Sequence, residues 1–591
     1  MTRAQASIRA GAPPRSLPKE TTVSPQAWQA RAALYALTSL AVALPFCNAY
    51  QLPPQPAFIS QLVSLGLWLL VLGVLLSLRA PARRRSDAEK AAITMWCALL
   101  LGVAFSLLTE RTPLFVATPS IAVLLLAGAI TLSAARVPQA WRSGWWRALC
   151  VGIALAALYN GAVALLQTVA PHWHDDLFIA AAGTERAHGN LRQPNQLATL
   201  VLWGMLAGVA LFRTQRLLMA VCTAFALLVL WLSGSRTAWF GALIAFAAAI
   251  FALRPAPVRS HVRTRLIAAL LAIIVCVAVL AIVTLLLNEQ TRNHPFESMQ
   301  QRISLWRDVI ALIKTEPWLG VGFGQLNFAW TLTPFSQRAP DVFDHAHSLP
   351  LQLAVELGLP IAFAVLALLV AAVTLALRGG GHGNDADRAP RYLQLGMLGI
   401  IFVHSLVEYP LWFAYFLLPS ALLLSLLTQH SGRDKPASTA ARPASTSYRG
   451  IAIAVLVTGC GAAAMIWAAR GYVSITKIYD SANDSARAKV WATHARSHPI
   501  YGYFGDYAMI MLARDEATIN LFTRPARAII DERLLVAWAR AYTRAGEHAR
   551  AAYVTARARE LPWQPEYEKL PPTLLMPNTN ASAPLRPADF R

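Results

Sequence analysis

Apolar runs about 20 residues long recur from residue 31 to residue 469, more than a water-soluble core could enclose. A helix rises 1.5 Å per residue, so roughly 20 such residues match the ~30 Å hydrocarbon layer of a bilayer. We place spans at 31–48, 57–78, 91–109, 113–134, 146–169, 195–213, 216–233, 237–253, 266–287, 349–377, 394–408, 410–428 and 450–469. Lipid offers no hydrogen bonds to bare backbone, so the runs predict helices. The expected fold is an all-α polytopic membrane protein with about 13 transmembrane helices. Composition agrees: 56% of the 591 residues are hydrophobic and 14% are charged, against about 25% charged in soluble domains.

A net charge of +22 raises the question of nucleic acid, but the basic residues are spaced as loop charges. They fall in every second loop: Arg83, Arg84 and Arg85; Arg136, Arg142 and Arg147; Arg213 and Arg216; Arg254, Arg259 and Arg263; Arg378, Arg388 and Arg391; Arg433, Lys435 and Arg442. The loops between are poor in basic residues, and residues 49–56 carry none. Positive loops stay in the cytoplasm. The segments 170–194, 288–348 and the chain from about 470 are therefore expected outside. Residues 1–30 are polar and basic and read as a cytoplasmic tail. Without a small-x-small cleavage site, the first apolar run reads as an uncleaved span rather than a signal peptide. The six cysteines all lie in apolar runs without ligand spacing, so neither a metal site nor a disulfide framework is expected, and no cofactor is called for.

The outer loop at 288–348 is where chemistry is expected. A surface helix at Gln301–Thr315 carries Arg302 and Arg307, with Trp306, Val309, Ile310 and Ile313 as its apolar stripe. That stripe would rest on the bilayer or on the spans and bring Arg302 to the interface. Gly320, Gly322 and Gly324 mimic a nucleotide loop, but they follow a helix and not a strand, which argues against a dinucleotide fingerprint. The loop ends in Asp344-His345-Ala346-His347-Ser348, just before a helix from Leu349 in which Pro360 should make a kink. A neutral His347 imidazole beside that helix start could accept a hydroxyl proton; a polar helix-start residue is the plainer alternative. Arg236 sits between two apolar runs at the outer surface, with a guanidinium fork suited to phosphate or to ordinary lipid headgroups. His404 and Glu408 stand at the outer end of a span, as a functional pair or a packing hydrogen bond. His172, His174, Asp175 and Asp176 could hold a metal but read more simply as a polar loop. The chain at 470–570 reads as a soluble helical domain. Its segments Arg533–Gly546 and His548–Leu561 are similar to one helix pair of a tetratricopeptide array, or equally to a helical cap without repeats. Residues 571–591 are Pro/Ala/Asn-rich and expected to be disordered.

Several stretches together resemble one family. They are Gly189-Asn190-Leu191-Arg192-Gln193-Pro194-Asn195-Gln196, the Ser233–Thr237 run, and Arg302-x-x-x-Trp306 followed by Pro317 and the glycine turn. To these are added His347-Ser348-x-x-x-Gln352-x-x-x-Glu356-x-Gly358 and His404-Ser405-Leu406-Val407-Glu408-Tyr409-Pro410. In order and spacing they resemble the O-antigen ligase superfamily, nearest its PglL-type protein O-oligosaccharyltransferases (pilin glycosylases) of Gram-negative bacteria. The resemblance implies an inner-membrane enzyme with its site and C-terminal domain in the periplasm. It implies transfer of a preassembled oligosaccharide from undecaprenyl diphosphate to Ser or Thr hydroxyls of proteins such as pilin, by one inverting, metal-independent displacement. It also implies His347 as the essential histidine and Arg236 and Arg302 as diphosphate contacts. Arg192, Gln193, Asn195, Arg307, His345, Gln352, Glu356, His404 and Glu408 are candidates for support. The family's Asn after the histidine is here Ser348, so a hydrogen bond orienting the ring is expected to be weaker or made differently. Lipid A core or another repeat unit is the alternative acceptor. A lipid-glycan transporter is the alternative of another class; an ion-coupled carrier would place carboxylates near mid-membrane, whereas Glu110, Glu356 and Glu408 map to the outer side.

The loop charges make a direct prediction. A reporter active only outside the cytoplasm is expected to work when fused after Tyr472 and to be silent after Arg433. The reverse pattern would invert the assigned sidedness.

Overall fold

A computed structural model describes residues 25–79, 84–183, 186–253, 295–379, 388–429, 446–481, 483–513, 516–561 and 586–590. The expected span at 266–287, the loop arginines Arg83, Arg254, Arg259, Arg263, Arg433 and Arg442, Lys435, and most of 571–591 lie outside the described residues. Within them every expected span falls on a helix. These are α1 (Pro25–Cys47), α2 (Phe58–Ser77), α3 (Asp87–Leu108), α4 (Leu114–Ser133), α5 (Gln139–Val169), α6 (Pro194–Leu211), α7 (Arg216–Ser233) and α8 (Thr237–Leu253). The surface helices α9 (Pro295–Thr315) and α10 (Leu326–Leu332) follow. Then come α11 (Leu349–Gly379), α12 (Arg388–Ser405), α13 (Ala414–Gln429) and α14 (Tyr448–Asp480). Nine helices among the described residues are long and apolar enough to cross a membrane, and α8 and α13 are shorter apolar helices. The chain is a multi-pass, all-helical membrane protein. Two isolated bridges are the only extended pairing among the described residues.

The helix α6 is the centre of the bundle, covered along most of its length and held to α12 by the Trp203 indole, which donates to the Met397 carbonyl at 2.9 Å. Around it α5 packs on α1, α8 on α12, and α3 on α11. α14 is the outlier: its apolar part lies against α2 at the edge of the bundle, and its 33 residues continue into the C-terminal helices. These are α15 (Ser485–Arg496), α16 (Gly502–Ala513), the single turn α17 (Thr523–Ala526), α18 (Glu532–Arg544) and α19 (His548–Arg559). They share one hydrophobic core with the loop: Leu305, Val309, Trp330 and Val355 pack with Phe522, Leu534 and Trp538. The Tyr553 hydroxyl donates to the Leu332 carbonyl at 2.5 Å, and Arg338 pairs with Glu560 at 2.8 Å.

That shared core corrects the expected stripe of the loop helix. Leu305, Val309 and Leu312 are buried, whereas Ile310 is 42% exposed. α9 rests on α10 and on the span α11, the second of the two supports expected, and its buried arc is rotated away from Ile310 toward Leu305 and Leu312. Asp308 is buried with it, accepting from the Trp330 indole at 3.1 Å and the Ala339 amide at 3.0 Å.

The kink in α11 also has a more specific origin than Pro360 alone. The break is at Gly358, with φ +81° and ψ 161°. Proline has no N–H, so Pro360 cannot satisfy the Glu356 carbonyl four residues back. That carbonyl accepts instead from the Gly322 amide at 3.1 Å, and the Val355 carbonyl from Val321 at 2.8 Å. In return Leu359 donates to the Pro317 carbonyl at 2.8 Å. The glycine turn thus replaces the helical bonds lost at the kink. Glycine is required for contact: a Cβ at Gly320 would lie 2.5 Å from the Glu356 carbonyl, and one at Gly358 would fall on the Trp318 carbonyl.

Gly358→Ala should therefore destabilise purified protein by more than the cost of its glycine-only backbone conformation alone, about 1–3 kcal/mol, read as a lowered unfolding temperature. Gly459→Ala, where a Cβ meets nothing within 4 Å, should leave it unchanged or raised. Equal melting of the two variants would contradict the closure of the kink by the turn.

Candidate active site

The strand of residues joining these parts begins at the α7–α8 junction. Gly234, at φ +57°, ends α7 and turns the chain through Ser235 and Arg236 into α8. Ser235 is buried and donates to Asn195 Oδ1 at 2.7 Å. Asn195 is placed by the start of α6, where Gln193 caps the helix by accepting from the Gln196 amide at 2.7 Å and Pro194 fills the first position. Asn195 Nδ2 in turn donates to Glu408 Oε1 at 3.3 Å.

Glu408 is the hub. It follows α12, its amide donating back to the His404 carbonyl at 3.0 Å. Oε1 also receives Arg302 of α9, and Oε2 faces His347 Nδ1 at 2.9 Å. Asn195, Arg302 and His347, from three separate parts of the chain, thus meet on one buried carboxylate. Burial alone would raise that carboxyl, but the hydrogen bond and charge of His347 and the charges of Arg302 and His404 together hold it below the ordinary value of 4.5. Glu408 is therefore a carboxylate at neutral pH. Against a carboxylate Nδ1 carries the proton, which leaves Nε2 of a neutral His347 as the acceptor. Nε2 has no hydrogen-bond partner among the described residues.

His347 has φ +48°, a left-handed conformation that a side chain adopts only when its surroundings enforce it. Here the segment is pinned on both sides. The Trp306 indole donates to the Ala346 carbonyl at 2.9 Å, and the Ala346 amide donates to Gln352 Oε1 at 2.5 Å. The His347 ring stands edge-on to Tyr409, with centroids 5.0 Å apart, while His345 stacks on the same Tyr409 at 4.2 Å. Tyr409 is pushed up to about 12 by burial and by the nearby Asp344 and Glu408 charges, and stays a neutral phenol. His345 Nδ1 lies 2.8 Å from Asp344. Partial desolvation pushes the Asp344 carboxyl up, but the hydrogen bond and charge of His345 outweigh it and hold the carboxyl below its ordinary value. The two adjacent histidines therefore face different carboxylates.

The other expected residues divide. Arg236 is exposed, at the surface beside Ser235, with no hydrogen bond or ion pair from its side chain among the described residues. Glu356 is buried with its carboxyl toward the Gly324 and Leu326 amides and Gln352, supporting the turn. Arg192 lies outside the cluster, left-handed at φ +55° and bonded to the Ala49 carbonyl and Asp176, both at 3.3 Å. Arg307 points away to Gln337. His404 is buried, with Nδ1 at 2.8 Å from Thr199 Oγ1 and Nε2 unpartnered beside a small cavity lined by Asn195, Ser235 and Thr237. Ser348 makes no hydrogen bond to the His347 ring among the described residues; Glu408 takes that role. Thr199, Ser235 and Tyr409 were not singled out from sequence. Each adjoins a residue that was: Ser235 precedes Arg236, Tyr409 follows Glu408, and Thr199 is one helical turn beyond Asn195.

Comparison with known proteins bears on the same residues. The family described as "O-Antigen ligase" matches residues 221–366, "Virulence factor membrane-bound polymerase, C-terminal" matches 392–561, and "Protein glycosylation ligase" matches 187–212. Asn195 lies in the last of these, Ser235, Arg236, Arg302 and His347 in the first, and His404 and Glu408 in the second. A "General O-oligosaccharyltransferase" of Acinetobacter baylyi (strain ATCC 33305 / BD413 / ADP1) is 24% identical over 330 residues, 52% of this chain. The alignment spans about half of that relative, 54% of its length.

The hub predicts a pH signature. Glu408 has a folded pKa depressed below 4.5, so its stabilisation is present above that value and is lost as pH falls through the folded pKa. Melting temperatures from pH 6 down to about 3 should fall less steeply for Glu408→Gln than for the natural protein. Parallel curves would show that Glu408 is not a stabilised carboxylate.

Proposed function

We propose that this member of the O-antigen ligase superfamily transfers a preassembled oligosaccharide from undecaprenyl diphosphate to a Ser or Thr hydroxyl of a protein outside the cytoplasm. The observation that carries the reading is the His347–Glu408 contact at 2.9 Å, which leaves Nε2 available for a proton beside Arg302. In the proposed step the acceptor oxygen forms a bond to the anomeric carbon as the carbon–oxygen bond to the diphosphate breaks. The electron pair leaves with the diphosphate, and the hydroxyl proton passes to Nε2. Glu408 then faces an imidazolium and stabilises it. One displacement inverts the anomeric centre.

The two arginines take unequal parts. Arg236 has its charge free for a phosphate, with a fork that matches two oxygens. Arg302 is already paired with Glu408, so it serves the diphosphate while orienting the carboxylate behind the base. The same geometry would serve a sugar hydroxyl as acceptor, a reading favoured by the polymerase description matched at 392–561. Reconstituted protein supplied with lipid-linked glycan, and offered pilin, lipid A core and a second lipid-linked glycan together, decides among these. Transfer to pilin alone supports the proposal, and transfer only to either lipid-linked acceptor contradicts it.

Two sets of variants test the roles. In single turnover with donor saturating, His347→Ala should be slower by about 10²–10⁴-fold, and His345→Ala less affected. A larger loss in His345→Ala would reassign the base. Arg236→Lys should keep more activity than Arg236→Ala but less than the natural protein, because it retains charge and loses the fork. Full activity in Arg236→Ala at normal protein levels would remove Arg236 from donor binding.

A further inference from the structure

A second cavity, of about 310 Å³, lies between the C-terminal helices and the loop that carries His347. Its size is at the lower end of ordinary binding pockets. Asn327 and Asp344 of the loop line one side, and Tyr479, Tyr507, Ile530 and Asp531 line the other. In a chain with net charge +22, no lysine or arginine among the described residues lines it. Its charged groups among the described residues are both acceptors, beside amides and tyrosine hydroxyls that can also donate. Asp344 and Asp531 supply carboxylates, and Asn327 Oδ1 is buried without a partner. Such a lining repels a diphosphate and suits N–H groups and positive charge.

One wall is partly unpaired main chain, in which the Ile529 amide donates to the Pro525 carbonyl at 2.7 Å and the Asp531 carbonyl accepts from Leu535 at 3.1 Å. Ile529, Ile530 and Asp531 lie between α17 and α18 outside any helix, and Asp531 has φ −126° and ψ 176°. The Ile530 amide makes no hydrogen bond among the described residues. Asp531 is held in place twice over: Oδ1 caps α18 by accepting from Leu534 at 2.8 Å, and Oδ2 accepts from the Tyr507 hydroxyl at 2.7 Å. A non-helical stretch fixed at its extended residue Asp531, with the Ile530 amide left over, offers main-chain contacts that a polypeptide backbone can meet. A sugar has no matching repeat of N–H and C=O. The cavity is also close to the chemistry. Asp344 contacts His345, His345 stacks on Tyr409, and Tyr409 meets the His347 ring.

We propose that this cavity is the acceptor site, in which an extended polypeptide lies along Ile529–Asp531 with neutral or positively charged residues flanking the hydroxyl it presents to His347. The inference rests on the protein-acceptor reading above. It makes the C-terminal helices the part that reads the acceptor, while the arginines on the membrane side hold the donor.

The test uses the full chain in nanodiscs with undecaprenyl-diphosphate-linked glycan. The acceptors are a short serine-centred peptide with flanking lysines, its twin with flanking aspartates, and lipid A core. Ala528→Trp fills the cavity from its wall and touches none of the groups assigned to catalysis. It should raise the KM for the lysine peptide by at least about tenfold, as expected for loss of a hydrogen-bonded contact, and leave hydrolysis of the donor by water unchanged. Asp531→Asn, which can still cap α18, should narrow the preference for lysine over aspartate peptide. An unchanged peptide KM in Ala528→Trp overturns the site. A change in donor KM or donor hydrolysis without a change in peptide KM gives the cavity to the glycan and also overturns it. If the natural protein glycosylates lipid A core and neither peptide, the protein-acceptor reading itself fails, and this site with it.

Discussion

A buried carboxylate is expensive unless each of its oxygens is met by hydrogen bonds or charge, and Glu408 is where the fold concentrates that demand. Arg302 from the loop helix, His347 from the loop end and Asn195 from α6 all answer it. Removing any one leaves the others beside an under-compensated anion. One interaction therefore does two things. It fixes three separate chain segments relative to one another, and it sets which nitrogen of His347 carries the proton. In the proposed reaction the same charge stabilises the imidazolium that forms. Arg302 then has a structural reason for its place before any donor arrives.

The loop stays in place because the kink in α11 and the glycine turn complete each other's hydrogen bonds. The C-terminal helices close this arrangement from the far side. Arg527 donates to Gln325 Oε1 at 2.5 Å, immediately after the turn, and the loop and tail share one apolar core. The segment that carries His347 and Arg302, to which we assign the chemistry, would otherwise be held only at its ends. Here it is packed on two sides, and the strained φ of His347 is supported by the contacts of Ala346, Gln352 and Trp306.

Much of this was legible in the sequence because apolar length and helix geometry leave few options in lipid. The described spans fall where the apolar runs lie, and His347, Arg302, His404, Glu408 and Asn195 all belong to stretches that stood out as polar islands. What could not be read was which islands meet. His347 and Glu408 are 61 residues apart, and Asn195 and Glu408 are 213 apart, with no local pattern linking them. Arg302 and Arg307 lie on one helix, yet five residues of spacing turn Arg307 away to Gln337 while Arg302 reaches Glu408. Ile310 fitted a stripe that assumed cover on one face only. Pro360 marked the kink correctly in neighbourhood but not in residue, because the break falls where glycine permits positive φ. The structural task of the glycine triplet was not legible, because it depends on a carbonyl freed by a proline 36 residues beyond Gly324.

In the proposed reaction Glu408 and His347 act as one unit, and a double-mutant cycle measures that directly. Single-turnover transfer rates of Glu408→Gln, His347→Ala and the double variant, each with donor saturating, give the coupling. If the carboxylate works through the imidazole, the double variant should be no slower than His347→Ala alone. Losses that multiply across the two positions would mean that Glu408 acts independently of His347, and would contradict the account.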